Sequence, residues 1–311
     1  MLKANNTLNS INLQVNTNPE KFIAACEERY KNIISSVVDK ICQREGREIV
    51  MLAGPSGSGK TTTANKLVEE LKKRGHNACR ISLDDYYLEI SQMPILEDGS
   101  RDFECVESLD LPLIISTLNE LIEKGESEIP FFDFTIPGRS EEKTKVKIGE
   151  DDVIIVEGLH ALNPQICDYL PPENLFKIYI SVSSRIYDEG KILMRRENLR
   201  LARRMVRDYQ FRNSPIEHTL SLWKNVRRGE KEYLFPFKDL ADMRINSTHM
   251  YEPCVFKDIA LPLLKEVKED SEFYNQAQEI IKGFEKFSLI DDVMVPEDSL
   301  LREFLGPKVK G

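Results

Sequence analysis

The sequence predicts an α/β protein with a mainly parallel sheet covered by helices on both faces. Three observations predict it. Short, strongly apolar runs such as "REIVMLAG", "DDVIIVEGLHAL" and "FKIYISV" read as strands buried on both sides. Segments with apolar residues three and four apart alternate with those runs and read as helices. One strand-to-helix junction, "IVMLAGPSGSGKTTTANKL", carries Gly54-Pro55-Ser56-Gly57-Ser58-Gly59-Lys60-Thr61, a full match to the GxxxxGK(S/T) pattern of a phosphate-binding P-loop.

The elements follow in order. Residues 1–18 are polar and Asn-rich and read as disordered or loosely attached. From Pro19 to about Arg44, apolar residues at Phe22, Ile23, Cys26, Tyr30, Ile33, Ile34, Val37, Val38 and Ile41 mark an amphipathic helix that packs on the main domain, with Pro19 in its first turn. The strand "REIVMLAG" leads through the P-loop into a helix over Lys60–Arg74 that Gly75 closes. "NACRISL" is a strand ending in "DDYY", and 107–124 is a helix closed by Gly125. "EIPFFDFTI" and "KTKVKIG" form a strand pair joined through "PGRSEE". "DDVIIVEGLHAL" and "FKIYISV" are strands, a long helix spans about Glu189–Tyr209, and "ADMRINS" is the last strand. From about Lys265 the chain is helical and then irregular, wrapping the main domain. The organisation expected is therefore 1–47 as tail and packing helix, 48–264 as the P-loop domain and 265–311 as a C-terminal extension.

Composition narrows the partners. With 311 residues, 41% of them hydrophobic, the chain is long enough for one large α/β domain with additions. A formal net charge of -9 argues against sequence-independent binding to nucleic acid or anionic membrane. No apolar run approaches the ~20 residues that span a bilayer. The start lacks the apolar core of a secretory signal, so a cytoplasmic protein is expected. Six scattered cysteines without a CxxC pair, and four histidines none of which stands at zinc-ligand spacing from a cysteine, read as reduced thiols in a core.

The P-loop assigns chemistry. Its glycines let successive N–H groups point inward, and the following helix adds its N-terminal dipole. Gly54, Ser56, Gly57, Ser58, Gly59, Lys60, Thr61 and Thr62 are expected to hold the ATP phosphates, with Lys60 reaching the β- and γ-phosphates and the Thr61 hydroxyl ligating Mg2+. An NKxD guanine-reading motif is absent from the sequence, which disfavours a GTPase switch. "ISLDDYY" places Asp84 and Asp85 where a strand meets the nucleotide pocket, and one of them can accept a proton from an attacking hydroxyl. "VIIVEG" ends in Glu157, an acid able to hold the Mg2+ shell through water.

These residues resemble the uridine kinase and phosphoribulokinase family of P-loop kinases. The likeness spans about Glu48–Ser247 and includes "LDDYY", "DFECVESLDL", "FFDFTIPGR", "VIIVEGLHAL", "LRLARRMVRDYQFR" and "FPFKDLADMRIN". The tail "VPEDSLLREFLG" and the flanking helix are similar to a longer bacterial branch of nucleoside kinases, whose frequent extra N-terminal domain has no counterpart in this sequence. The resemblance implies Asp84 as catalytic base, Tyr87 in the substrate pocket, Glu104 on ribose hydroxyls, Arg139 at the end of the substrate strand, and Arg200 and Arg203 on nucleotide phosphates. Phe132 stands where pyrimidine kinases carry a tyrosine that helps read the base, and Pro137 where they carry a histidine.

Arg196, Arg200, Arg203 and Arg207 form one polar stripe of a helix, next to an apolar stripe of Leu199, Ala202, Val206 and Tyr209. With the resemblance, that stripe implies a helical lid closing over the transferring phosphate, with Arg227 and Arg228 on its return path. The expected activity is ATP- and Mg2+-dependent phosphorylation of a small acceptor, a nucleoside at its 5′-hydroxyl. The alternatives are a phosphosugar or pantothenate-like acceptor, or a regulatory ATP-binding module. Nucleic acid is disfavoured as a partner, and a homo-oligomer is left open.

Overall fold

Alternate residues of the first strand, β1 (Glu48–Ala53), enter two different cores. Val50 and Leu52 join one cluster, while Ile49, Met51 and Ala53 join another on the opposite face. That split follows from the two-residue repeat of a strand and explains why the run reads as continuously apolar. A computed structural model of the chain describes residues 6–133 and 138–308.

Two helices precede β1: α1 (Leu8–Thr17) and α2 (Pro19–Ile41). After β1 come α3 (Lys60–Lys73), β2 (Ala78–Ser82), α4 (Leu111–Lys124), β3 (Glu126–Asp133), β4 (Gly138–Lys147), β5 (Val153–Gly158), the short α5 (Pro164–Cys167) and β6 (Leu175–Ser181). The second half contains β7 (Ile186–Asp188), β8 (Lys191–Met194), α6 (Arg196–Arg212), α7 (Ile216–Gly229), β9 (Met243–Asn246), α8 (Glu252–Lys265), α9 (Tyr274–Phe284) and α10 (Arg302–Leu305).

Five parallel strands form the main sheet in the order β2-β5-β1-β6-β9. Chain order and spatial order diverge on either side of β1, so the loops after β1, β2 and β5 open at one edge, where α/β sheets build sites. The β3–β4 pair is antiparallel and forms a separate hairpin, as its alternating sequence predicts. Strand β4 begins at Gly138, inside the segment expected to be the connection.

Two expectations are corrected. The N-terminal segment is not loose from residue 6 on. Thr7 caps α1 through its side chain, and Leu8, Ile11 and Val15 are buried at helical spacing. The helix expected from Glu189 starts instead at Arg196, because Glu189 and Gly190 both adopt positive φ (46° and 79°) and turn β7 into β8. Adjacent residues of that kind make the tight hairpin turn that matches strand twist, and a glycine takes the second position without strain.

One core joins the termini to the sheet. Side chains from α1, α2, α8 and α9, together with Leu300, Leu301, Phe304 and Leu305, share the cluster that contains Val50 and Leu52. Burying each such Leu, Ile or Phe stabilises the fold by about 1.5–3 kcal/mol, so both terminal segments are held by the same apolar contact as the sheet. All six cysteines are free thiols. Among the described residues, no helix is long and apolar enough to cross a membrane.

Candidate active site

The P-loop connects β1 to α3 and needs its glycines for identifiable reasons. Gly57 and Gly59 have φ of 72° and 86°, the left-handed region that disfavours a side chain. At Gly54 the neighbouring strand β6 approaches so closely that a Cβ would lie 2.5 Å from the Ile180 carbonyl oxygen. The loop is gripped from outside as well. Arg200 Nη1 donates to the Ser56 carbonyl at 3.2 Å, and Arg203 Nη1 donates to the Gly57 carbonyl at 3.1 Å. Arg204 Nη1 reaches Ser56 Oγ at 3.1 Å, while the Ser56 N–H donates to Glu230 at 3.1 Å.

Arg200 and Arg203 therefore do not lie on an open polar stripe. Arg200 forms a two-pronged pair with Glu230 (2.5 and 2.8 Å) and lies over the Trp223 ring. Arg203 pairs with Glu252 at 2.6 Å, donates to the Ser247 carbonyl at 2.8 Å and lies over the Phe304 ring. Both pairs are almost wholly removed from water. Helical periodicity assigned these arginines to the polar side, whereas three further elements pack on that side and supply carboxylates and carbonyls. On the same helix, the buried Asp208 accepts from Arg207 at 2.9 Å and pairs with Arg204 and Arg212 at 3.3 and 3.4 Å.

At the sheet edge, Thr61 Oγ1 donates to Glu157 Oε1 at 3.0 Å, and Arg80 Nη1 from β2 donates to that same oxygen at 3.0 Å. Thr61 thus meets the acid at the end of β5. Among the described residues, no three His, Cys, Asp or Glu side chains gather as metal ligands. A hydroxyl and one carboxylate are hard oxygen donors, and Mg2+ is commonly held by one or two protein groups with phosphate oxygens and waters completing its shell, so the pair fits that ion.

Asp84 follows β2 in a 3-10 turn that Ser82 caps. Its side chain keeps contact with solvent. Desolvation by the surrounding protein, reinforced by the negative charge of Glu157, pushes its carboxyl up to about 6, against the pull of Lys60. Asp85 is turned to a structural contact, a backbone hydrogen bond from Phe132. Burial also pushes Glu104 up to about 7; Arg204 opposes the shift, while Glu230 and Asp84 reinforce it. His160 is buried against Tyr233, and burial holds its imidazole down to about 4, so it is neutral at physiological pH.

The Tyr87 hydroxyl donates to the Phe103 carbonyl at 2.8 Å, and its ring meets Phe103 and Phe132 edge-on at 5.6 Å. Phe132 is buried, so it forms part of the wall behind Tyr87. Arg139 pairs with Phe132 across the β3–β4 hairpin. Pro137 lies outside the described residues. The structure thus gathers the P-loop, Thr61, Glu157, Asp84, Glu104 and Tyr87 around one edge of the sheet. Sequence reasoning missed Arg80, Glu230, Glu252 and Asp208. Their roles arise from partners 30 to 77 residues away or from burial of a whole helix, and no local motif signals either.

A family model described as "Phosphoribulokinase / Uridine kinase family" matches residues 49–252. A uridine kinase of Staphylococcus haemolyticus is 31% identical over 199 residues, which is 63% of this chain and 86% of that protein. A uridine kinase of Ligilactobacillus salivarius is 28% identical over 206 residues, covering 65% of this chain and 87% of the relative. Among solved structures, a putative fructose transport system kinase from Silicibacter sp. TM1040 is similar with a TM-score of 0.51 at 18% identity, covering 68% of this chain and 98% of that one, a likeness of fold.

Proposed function

Since this chain belongs to the phosphoribulokinase / uridine kinase family and transfers phosphate to a hydroxyl group, we propose that its acceptor is a nucleoside of the uridine or cytidine type, phosphorylated at the 5′-hydroxyl with ATP as donor. The likeness to uridine kinases supports the nucleoside acceptor, and the observation that carries the transfer to its hydroxyl is Asp84. Its carboxyl stands at the end of β2 with a pKa near 6, so it is ionised at neutral pH yet basic enough to take a hydroxyl proton.

In this mechanism the Asp84 carboxylate accepts the proton of the acceptor hydroxyl as that oxygen attacks the γ-phosphorus in line, while the bond from that phosphorus to the β,γ-bridging oxygen breaks and ADP leaves. The P-loop N–H groups and Lys60 hold the phosphates, and their charge stabilises the developing negative charge on the transferring group. Thr61 and Glu157 would hold Mg2+, which would supply further neutralisation of phosphate charge. Arg200 and Arg203 act one step back. By fixing the Ser56 and Gly57 carbonyls they hold the loop in the shape that aims its N–H groups. Glu104 is proposed to bind the ribose diol, and Tyr87 with Phe132 behind it to line the acceptor pocket.

The test is ADP release against a panel of nucleosides, phosphosugars and pantothenate, with Lys60→Ala as background. Turnover of uridine or cytidine above every other class is the expected result. Activity on a phosphosugar or pantothenate alone moves the acceptor to another hydroxylated metabolite. ATP binding without turnover of any acceptor leaves a regulatory module.

A further inference from the structure

The segment after α9 returns to the P-loop and lies along the first turns of α3. Leu300 packs on Gly59, so closely that a Cβ there would come within 2.6 Å of its Cδ1. Lys66 of α3 donates to the Asp298 carbonyl. Phe304 lies beneath the Arg203 guanidinium, which itself holds the Gly57 carbonyl. Arg302 ties the segment to itself, donating to the carbonyls of Asp292 and Val295 at 2.7 Å and Gly306 at 3.2 Å. Leu300, Leu301, Phe304 and Leu305 are all buried, so the strap is a fixed wall of the loop.

One side chain of this wall is aimed at the phosphate cradle. Glu303 is only partly buried, and its Oε2 accepts from both the N–H (3.3 Å) and the hydroxyl (2.6 Å) of Thr62. The N–H groups that open the helix after a P-loop have no partner within the helix and are the donors offered to nucleotide phosphates. A carboxylate is an anion with the right geometry to accept from them in a phosphate's place. Glu303 also adds a negative charge beside a cradle that must receive a polyphosphate.

We propose that Glu303 is a resident phosphate surrogate, which the donor nucleotide must displace from Thr62 and which thereby sets nucleotide affinity. The inference rests on the P-loop being the nucleotide site. Displacement requires only rotation of the Glu303 side chain, because the apolar anchors hold the strap in place. The carboxylate keeps Thr62 satisfied in the free protein, at the cost of weakening nucleotide binding. It also makes the C-terminal segment, far from the P-loop in sequence, a component of the donor site.

Calorimetric binding of ATP and of inorganic tripolyphosphate to the full chain, parent and Glu303→Gln, tests this. Glutamine retains an oxygen for Thr62 but removes the charge, and charge-assisted hydrogen bonds are roughly twice as strong as neutral ones, so both ligands are expected to bind about 3- to 10-fold tighter. Glu303→Lys, which substitutes an attractive charge, is expected to tighten both at least as much. Melting temperatures show whether each variant is folded. If Glu303→Gln weakens ATP while tightening tripolyphosphate, the carboxylate serves the nucleoside part of ATP and the proposal is overturned. Unchanged affinity for both ligands in the folded variants overturns it as well. A parent chain that binds neither ligand overturns this proposal together with the donor reading, whereas binding without the predicted change overturns this one alone.

Discussion

Arg203 donates to Glu252 at 2.6 Å with both side chains fully removed from water, and the same guanidinium holds the Gly57 carbonyl of the P-loop at 3.1 Å. The shape of the phosphate cradle is thereby coupled to the start of α8. Removing one partner of such a pair leaves a buried charge uncompensated, which costs about 3–5 kcal/mol. Arg203→Ala is accordingly expected to lower stability by about that amount in urea denaturation, and Arg196→Ala, on the exposed side of α6, to stay within about 0.5 kcal/mol of the parent. Equal stability of the two variants would refute the assigned role of Arg203.

Asp84→Asn is expected to reduce turnover by about 10²–10⁴-fold while ATP binding persists, the usual worth of a positioned base. Asp85→Asn should have a milder effect, since Asp85 is engaged with the Phe132 backbone. Single-turnover rates and ATP affinities measured on both variants decide between them. A near-normal Asp84→Asn beside an inactive Asp85→Asn would reverse the assignment.

The pH dependence follows from the direction of the shifts. A base is lost when it is protonated, and the Asp84 carboxyl is raised from 3.8 to about 6 and Glu104 from 4.5 to about 7. Activity is therefore expected to be full above neutrality and to fall as pH drops through 7 to 6, well above the ordinary carboxylate range. A profile of kcat/KM that stays flat down to pH 5 would contradict it. In Asp84→Asn the part of the acid limb belonging to Asp84 should vanish.

Glu157 shares one oxygen between Thr61 and Arg80. Glu157→Gln should raise the magnesium concentration needed for half-maximal rate by about 10–100-fold, as loss of a supporting carboxylate does at other metal sites. Chelation with EDTA should abolish turnover and excess Mg2+ restore it. An unchanged magnesium requirement in the variant would remove Glu157 from the metal site.

In the proposed acceptor pocket Glu104 would offer a carboxylate to a ribose diol, whereas Phe132 would offer no polar group to a base. Sites that hydrogen-bond a substrate group reject analogues lacking it by ~10⁴-fold, but apolar walls discriminate only ~10–200-fold. Removing the 2′-hydroxyl of the acceptor is thus expected to cost more kcat/KM than exchanging its base, and Glu104→Gln should narrow that difference. An enzyme that accepts deoxyribosides equally well would refute the proposed contact.

The sequence by itself determined the parallel α/β fold, the P-loop and the acids that end β2 and β5. Those signals are local: an apolar run, a glycine pattern and a carboxylate at a strand's end are contiguous in the chain and fixed by backbone geometry. Periodicity also located α2 and the β3–β4 hairpin, but it missed α1, whose apolar residues are diluted by asparagines, and the Glu189–Gly190 turn that delays α6. Only the tertiary structure decided which face of α6 is buried. A stripe of arginines has the same spacing whether it meets water or carboxylates from other elements, and here Glu230 and Glu252 arrive from 30 and 49 residues further on. Tertiary structure likewise brought Glu303 to Thr62 across 241 residues. Such contacts depend on how separate elements pack around one core, and a pattern read within single elements carries no information about them.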